Sequence, residues 1–185
     1  DEMIKQFKSI TKLCPQFHIS LQSGSDSTLS RMNRRYTTSQ FMDITNGLRK
    51  YFPDCAITTD IMVGFPGETD EEFEETVKFV NEVKFAEAHI FKYSRRKGTP
   101  ADKMSNQVSP EIKDKRSKEL IKITEISNHQ FLLSQLNKET EVLFETRNGK
   151  YMEGKTANYC TVLYETAENL EGQYRKVIPT EISNS

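Results

Sequence analysis

Three short stretches, residues 22–26 (QSGSD), 64–68 (GFPGE) and 92–99 (KYSRRKGT), have the most unusual composition in the chain, mixing polar, basic and glycine residues. Gln22 and Ser23 offer an amide and a hydroxyl that can bond ligand hydroxyls or a carboxylate. Arg34 or Arg35 could grip a carboxylate with the two-pronged guanidinium, or belong to a solvated basic loop. Asp60 is the acidic residue of an otherwise strand-forming run, AITTDIMV, where an unpaired buried carboxylate would be costly. It therefore requires a partner, either a neighbouring loop, Thr37 or Arg34, or a bound ligand. Phe65, Pro66 and Gly67 can bring backbone against a flat ring, with Gly64 and Gly67 free to take positive φ, although a purely structural turn has the same composition. Lys92, Arg95, Arg96, Lys97 and Lys103 concentrate positive charge where a phosphate backbone could approach.

Other chemistries find less support. His18, His89 and His129 have no spacing that suggests a shared metal, and core or surface roles are expected for them. Cys14, Cys55 and Cys160 lie far apart with no CxxC pair, so they read as three separate reduced thiols and not as cluster ligands. The acidic stretch 68–75 suits a solvated helix start, favourable for the helix dipole. No Ser-His-Asp or Cys-His arrangement stands out.

The elements that would hold the three stretches follow from periodicity. Met3, Ile4, Phe7, Ile10 and Leu13 predict an opening helix over 1–13, stopped at Pro15. Residues 18–22 read as a short buried strand, 56–63 as a β-branched parallel strand and 88–93 as a third. Between them Thr37 with Gln40, and Thr69 with Glu72, form capping boxes that start two amphipathic helices. Strand, loop and helix thus alternate three times, which predicts an α/β unit on a parallel sheet with its ligand loops at the carboxyl ends of the strands. Ser109-Pro110 begins a long connecting helix. After Asn137 come four short runs, 141–146, 151–156, 159–164 and 174–179, broken by Asn148-Gly149, Gly154 and Gly172. These predict a small antiparallel barrel, giving units 1–137 and 138–185.

The chain has 185 residues, enough for a substantial core, and a net charge of −1, so no global basic footprint announces a nucleic-acid partner. It has no run of about 18 apolar residues and no leader resembling a signal peptide, and a soluble cytoplasmic protein is expected. It opens at Asp1 without an initiator methionine, straight into a helical pattern, which suggests an excised piece of something longer.

The segments HISLQSGSD (18–26), MNRRYT (32–37), TDIMVGFPGET (59–69) and FKYSRRKGTPA (91–101) resemble, in order and spacing, the radical S-adenosylmethionine (SAM) methylthiotransferase family. The tail, with Gly149, EGKTANY (153–159) and Gly172, resembles the TRAM domain, an OB-like RNA-binding barrel. The resemblance implies the C-terminal half of an open (β/α)6 partial barrel, strands four to six, followed by TRAM. It implies SAM as cofactor, with Gln22, Ser23, Arg34, Arg35, Asp60, Phe65 and Tyr93 as candidate binding residues. Two 4Fe-4S clusters would belong to the full-length protein, since the family's CxxxCxxC motif is absent here. The implied partner is tRNA at its anticodon stem-loop, contacted by Arg95, Arg96 and Lys97 and by Lys155 and Arg175 of the tail. Tyr151, Tyr159, Tyr164 and Tyr174 are available for base stacking. The forms of the fifth and sixth strands look nearest to enzymes acting on threonylcarbamoyladenosine, with isopentenyladenosine or a ribosomal protein as alternative substrates. On this expectation the chain alone is inactive. A stand-alone RNA-binding module is the reading from another class, and the exposed strand edge at 18–22 invites self-association.

Overall fold

The structure, a computed structural model, describes residues 2–183. Its first part carries α1 (Glu2–Phe7), β1 (Gln16–His18), α2 (Asp26–Arg31), α3 (Thr38–Tyr51), β2 (Ala56–Val63), α4 (Asp70–Val83) and β3 (Glu87–Lys92). A 3₁₀ turn (Ala101–Lys103) leads to α5 (Pro110–Gln135). Strands β4 (Thr140–Asn148), β5 (Tyr151–Thr156), β6 (Thr161–Glu165) and β7 (Gln173–Val177) complete the chain.

The first three strands form a parallel sheet in the order β1-β2-β3, and the last four an antiparallel sheet in the order β6-β5-β4-β7. Both expected capping boxes are present, at Thr37 with Gln40 and at Thr69 with Glu72, and the Ser109 hydroxyl caps α5. The other elements lie within two residues of the expectation at each end, and two differ by more. Helix α1 ends at Phe7, because the chain then makes i→i+3 turn bonds and the Ser9 hydroxyl takes the Gln6 carbonyl that the helix would use. Strand β1 pairs at Gln16–His18, and the backbone ladder resumes at an isolated bridge between Gln22 and Ile61, because the Thr59 hydroxyl takes the Leu21 N–H and donates to the Ile19 carbonyl in between.

Strand alternation divides the parallel sheet into two unlike faces. Ile57, Ile61 and Val63 of β2 join Leu21, Ile4, Phe41, Leu48, Phe73, Val80, Val83, Phe85 and Leu120 in one buried core under the helices. Ala88 and Ile90 of β3 pack on the same core. The opposite face carries Gln16, His18 and Ser20 from β1 and its continuation, Thr58, Asp60 and Met62 from β2, and Glu87, His89 and Phe91 from β3. Phe91 is 52% exposed there.

Helix α5 runs back along the sheet and joins the two units. Ser127 and Asn128 donate to the carbonyls of Phe85 and Ala86 at 2.7 Å each. The buried Asn158 amide of the antiparallel unit donates to the Asp54 carbonyl at 2.8 Å and to Gln135 Oε1 at 3.0 Å. A small second core, Val142, Phe144, Met152 and Leu170, holds the antiparallel sheet together.

Candidate functional site

The open face is wired as a hydrogen-bonded row. Gln16 Nε2 donates to Thr58 Oγ1 at 3.1 Å, and His18 Nδ1 lies 3.0 Å from the same hydroxyl. His18 Nε2 lies 3.1 Å from Asp60 Oδ2, to which Ser20 Oγ also donates at 3.0 Å. The partners of Asp60 are therefore His18 and Ser20, and not the Thr37 or Arg34 that the sequence suggested. Pairing in register sets Ser20, Asp60 and His89 side by side across three strands, since Asp60 pairs with His89.

Above this row the three expected loops meet at the carboxyl ends of the strands. Gln22 sits at φ 67, a left-handed value uncommon outside glycine, and its backbone bridges both ways to β2, N–H to Asp60 O at 2.8 Å and O from Met62 N at 2.9 Å. That strained position is what starts the turn into the QSGSD loop. Ser23 faces inward: it is buried, its hydroxyl lying 3.3 Å from Thr76 Oγ1 on α4 and accepting the Ser25 N–H at 3.2 Å. Gly24 follows because α4 is so near that a Cβ would meet Thr76 Cα at 2.7 Å. Tyr36 ties the loop from the other side, its hydroxyl donating to the carbonyls of Ser20 and Leu21 at 3.0 and 2.9 Å. Burial pushes the Tyr36 phenol up, against the charge of Arg34.

Arg34 and Arg35 are exposed on the segment after α2 and form no ion pair with any described residue. The arginine that does work structurally is Arg31, which sequence reasoning missed. It clasps Glu72 of α4 through both nitrogens, NH1 to Oε1 at 2.8 Å, and this holds the Glu72 carboxyl below its ordinary range. The 41-residue separation of the two partners hid the pair.

Phe65 and Tyr93 close the site on the β2–β3 side. Both are buried and their rings meet edge to face at 5.3 Å, leaving little more than ring edges and backbone for a ligand. The Tyr93 hydroxyl is buried without a partner. Of the basic loop, Arg95 is folded back on Asp102, Nε to Oδ1 at 2.9 Å and NH2 to the carbonyl at 2.7 Å, and Lys92 pairs with Asp114 at 2.7 Å. Arg96 and Lys97 are exposed with no ion pair among the described residues.

Lys155 and Arg175 lie elsewhere. Lys155 Nζ meets Thr161 Oγ1 at 2.5 Å and lines an 880 Å³ cleft with Gln16, Ala56 and Glu87, at the amino ends of the parallel strands. Exposed Arg175 bonds to Gln173 Oε1 at 2.9 Å. The full length of β2, roughly 23 Å at the usual rise per residue, separates this end from the Arg95–Lys97 loop. Lys155 and the Arg95–Lys97 loop thus lie at opposite ends of the parallel sheet and not in one patch.

The donor set suits a nucleoside carrying an amino-acid tail such as SAM: Ser20 and Asp60 offer a hydroxyl and an anion on the polar face, with Gln22 and the Phe65–Tyr93 ring pair at its carboxyl end. An iron–sulfur cluster finds no such fit. Among the described residues no group of three or more histidines, cysteines and acids could hold a metal, and Cys14, Cys55 and Cys160 are exposed, buried and half-buried in separate places.

Residues 1–80 match the model of the radical SAM superfamily. The chain is 41% identical over 178 residues to the tRNA-2-methylthio-N(6)-dimethylallyladenosine synthase of Ehrlichia chaffeensis, covering 95% of the chain and 40% of that protein. It is 39% identical over 182 residues to the threonylcarbamoyladenosine tRNA methylthiotransferase MtaB of Bacillus subtilis, covering 96% of the chain and 40% of that protein. The MtaB of Thermotoga maritima is 51% identical over 122 residues, 66% of the chain and 28% of that protein. The chain thus spans about two fifths of the length of the curated relatives it matches over most of its own length. Among solved structures, coproporphyrinogen III oxidase (HemN) from Escherichia coli, a radical SAM enzyme, superposes with a TM-score of 0.57 at 19% identity, over 68% of this chain and 29% of that one, which establishes the shared fold. By sequence, the chain belongs to the radical SAM methylthiotransferase family.

Proposed function

We propose that this chain is the SAM-binding and RNA-facing part of an enzyme that methylthiolates threonylcarbamoyladenosine beside the anticodon of tRNA. The observation that carries the reading is the open, polar face of a parallel sheet, with Asp60 held at its centre and Gln22 at its rim. When bound, SAM supplies the transferable methyl group and the source of the radical. The chain's own part is to hold and orient it. Asp60 and Gln22 take the polar atoms of the nucleoside, Phe65 and Tyr93 border its ring, and Arg34 or Arg35 pairs with the methionine carboxylate from the exposed segment beside the rim. Ser23 serves by fixing the loop on α4.

Arg96 and Lys97 meet the phosphate backbone at the mouth of the site, with Arg95 braced behind them, and the unit 138–185 adds Lys155 and Arg175 as a TRAM-like RNA grip. The two 4Fe-4S clusters are assigned to residues beyond these, consistent with the scattered cysteines. No helix among the described residues is long and apolar enough to cross a membrane, and a cytoplasmic site of action follows from a tRNA substrate.

Titration of the chain with S-adenosylhomocysteine and with an anticodon stem-loop tests the reading. Saturable binding of the first and weak, salt-sensitive binding of the second are expected, with no four-iron absorbance after reconstitution and no turnover. Failure to bind the nucleoside, or a stable cluster on this chain, overturns it. Dimethylallyladenosine is the second reading, favoured by the 41% relative carrying that name. Complementation of strains lacking either modification by a full-length protein carrying this sequence separates the two. The unpaired outer edge of β1 is a site for self-association, and a monomeric mass by light scattering would remove that element.

A further inference from the structure

Glu68 ends the GFPGE turn with its side chain 2% exposed, an unusual place for a carboxylate. Its Oε2 accepts the Gly64 N–H at 2.7 Å, which closes the turn on itself, and the Arg116 guanidinium at 2.6 Å. Arg116 is itself 5% exposed, lies over the Phe73 ring at 5.3 Å, and also donates to the Glu68 carbonyl at 3.2 Å and to Asp70 Oδ1 at 2.7 Å. Burial pushes the Glu68 carboxyl up, and the Gly64 N–H and Arg116 pull against it.

One turn earlier on the same face of α5, Lys113 donates to the Tyr93 carbonyl at 3.1 Å, with its ammonium 5.2 Å from the Tyr93 ring centroid. Its stem fills the space a side chain at Gly64 would need, 2.3 Å from the position of a Cβ there. Just before α5, Asn106 O accepts the Gly67 N–H at 2.6 Å. Two side chains of the connecting helix therefore hold the ends of both β2 and β3, where those strands border the open face. Stability alone is a poor reason for such a pair, since a buried ion pair is often matched by apolar packing. What a forked, charge-assisted contact supplies is a fixed direction.

We infer that Lys113 and Arg116 are positioning residues of the ligand site, shaping the Gly64–Glu68 turn and the Tyr93 backbone so that the site is incomplete without α5. This rests on the reading of those loops as a nucleoside site. Both residues lie outside the stretch 1–80 that matches the superfamily model.

The test uses the whole 185-residue chain, wild type and as Lys113→Met, Arg116→Lys and Arg116→Met. Calorimetric titration with S-adenosylhomocysteine gives affinity, and amide hydrogen exchange compares 64–68 and 93 with strand 151–156. Arg116→Met is expected to weaken binding about tenfold and Lys113→Met about threefold. Arg116→Lys restores little, because an ammonium lacks the fork. Exchange should quicken at 64–68 and stay unchanged at 151–156. Unchanged affinity, or exchange that rises evenly through the chain, overturns the inference. If Arg116→Met does not fold, Lys113→Met, on a less buried side chain, decides by the same two readings. If the wild type does not bind the nucleoside, the ligand reading falls by itself. Exchange then decides the inference, which fails if 64–68 quickens no more than the reference strand.

Discussion

Asp60 Oδ2 receives both His18 Nε2, at 3.1 Å, and Ser20 Oγ, at 3.0 Å, across the β1–β2 pair. A carboxylate only accepts, so the imidazole donates from Nε2, and its Nδ1 lies 3.0 Å from the Thr58 hydroxyl. No described group bonds to Asp60 Oδ1. Asp60→Asn is expected to weaken S-adenosylhomocysteine binding about tenfold, and His18→Gln about threefold, by calorimetry. Because His18 and Asp60 are 43% and 28% exposed, melting temperatures should move by no more than about 2 °C. A large drop in stability with unchanged affinity would make the row structural.

Gly24 tests the seat of the first loop. A methyl group there meets Thr76 Cα at 2.7 Å and Phe79 Cβ at 2.8 Å, and neither can swing aside. Gly24→Ala should cost about 1–3 kcal/mol in urea unfolding and loosen the Gln22 turn. A variant as stable as the parent would show that α4 yields.

Acid sensitivity follows from Glu72. Arg31 holds its carboxyl below the ordinary value, so the folded state gains from this group at any pH above the unfolded carboxyl value of about 4.3. That gain is lost as pH falls through the lower folded value. Glu68 acts with the opposite sign: burial raises it, and its cost at neutral pH is relieved as pH falls. Glu72→Gln should lower the urea midpoint at neutral pH and flatten the acid loss below about pH 4. An acid slope like that of the parent would assign the sensitivity to other carboxylates.

The basic loop separates into a braced and a free part. Arg95 is committed to Asp102, whereas Arg96 and Lys97 have no ion pair among the described residues. Arg96→Ala with Lys97→Ala should weaken stem-loop binding more than Arg95→Ala. The salt slope should flatten by about 0.7 for each single-strand phosphate that the variant no longer neutralises. Equal weakening by the two variants would mean that Arg95 reaches RNA by leaving Asp102.

Much of the frame was legible in local signals. The β-branched run at Ala56–Val63, both capping boxes and Ser109-Pro110 each act within a few residues, and the strand and helix starts appear where they predict. The three loops were legible for the same reason, since glycine and polar residues after a strand have few other uses. The end of α1 at Phe7 was not, because a hydroxyl at Ser9 competes for a helical carbonyl that periodicity counts as satisfied.

The side chains that complete the site escaped for a different reason. His18 and Asp60 are 42 residues apart, Arg31 and Glu72 are 41, and Glu68 and Arg116 are 48. Sequence determined which residues could do chemistry and that the chain alternates strand and helix on a parallel sheet. Only the tertiary structure decided that one face of that sheet stays open, that Asp60 answers to His18, and that α5 reaches back to grip the loops. Local propensities fix φ and ψ over a turn or a strand, but the partner of a buried charge is chosen by whatever the packed core brings beside it.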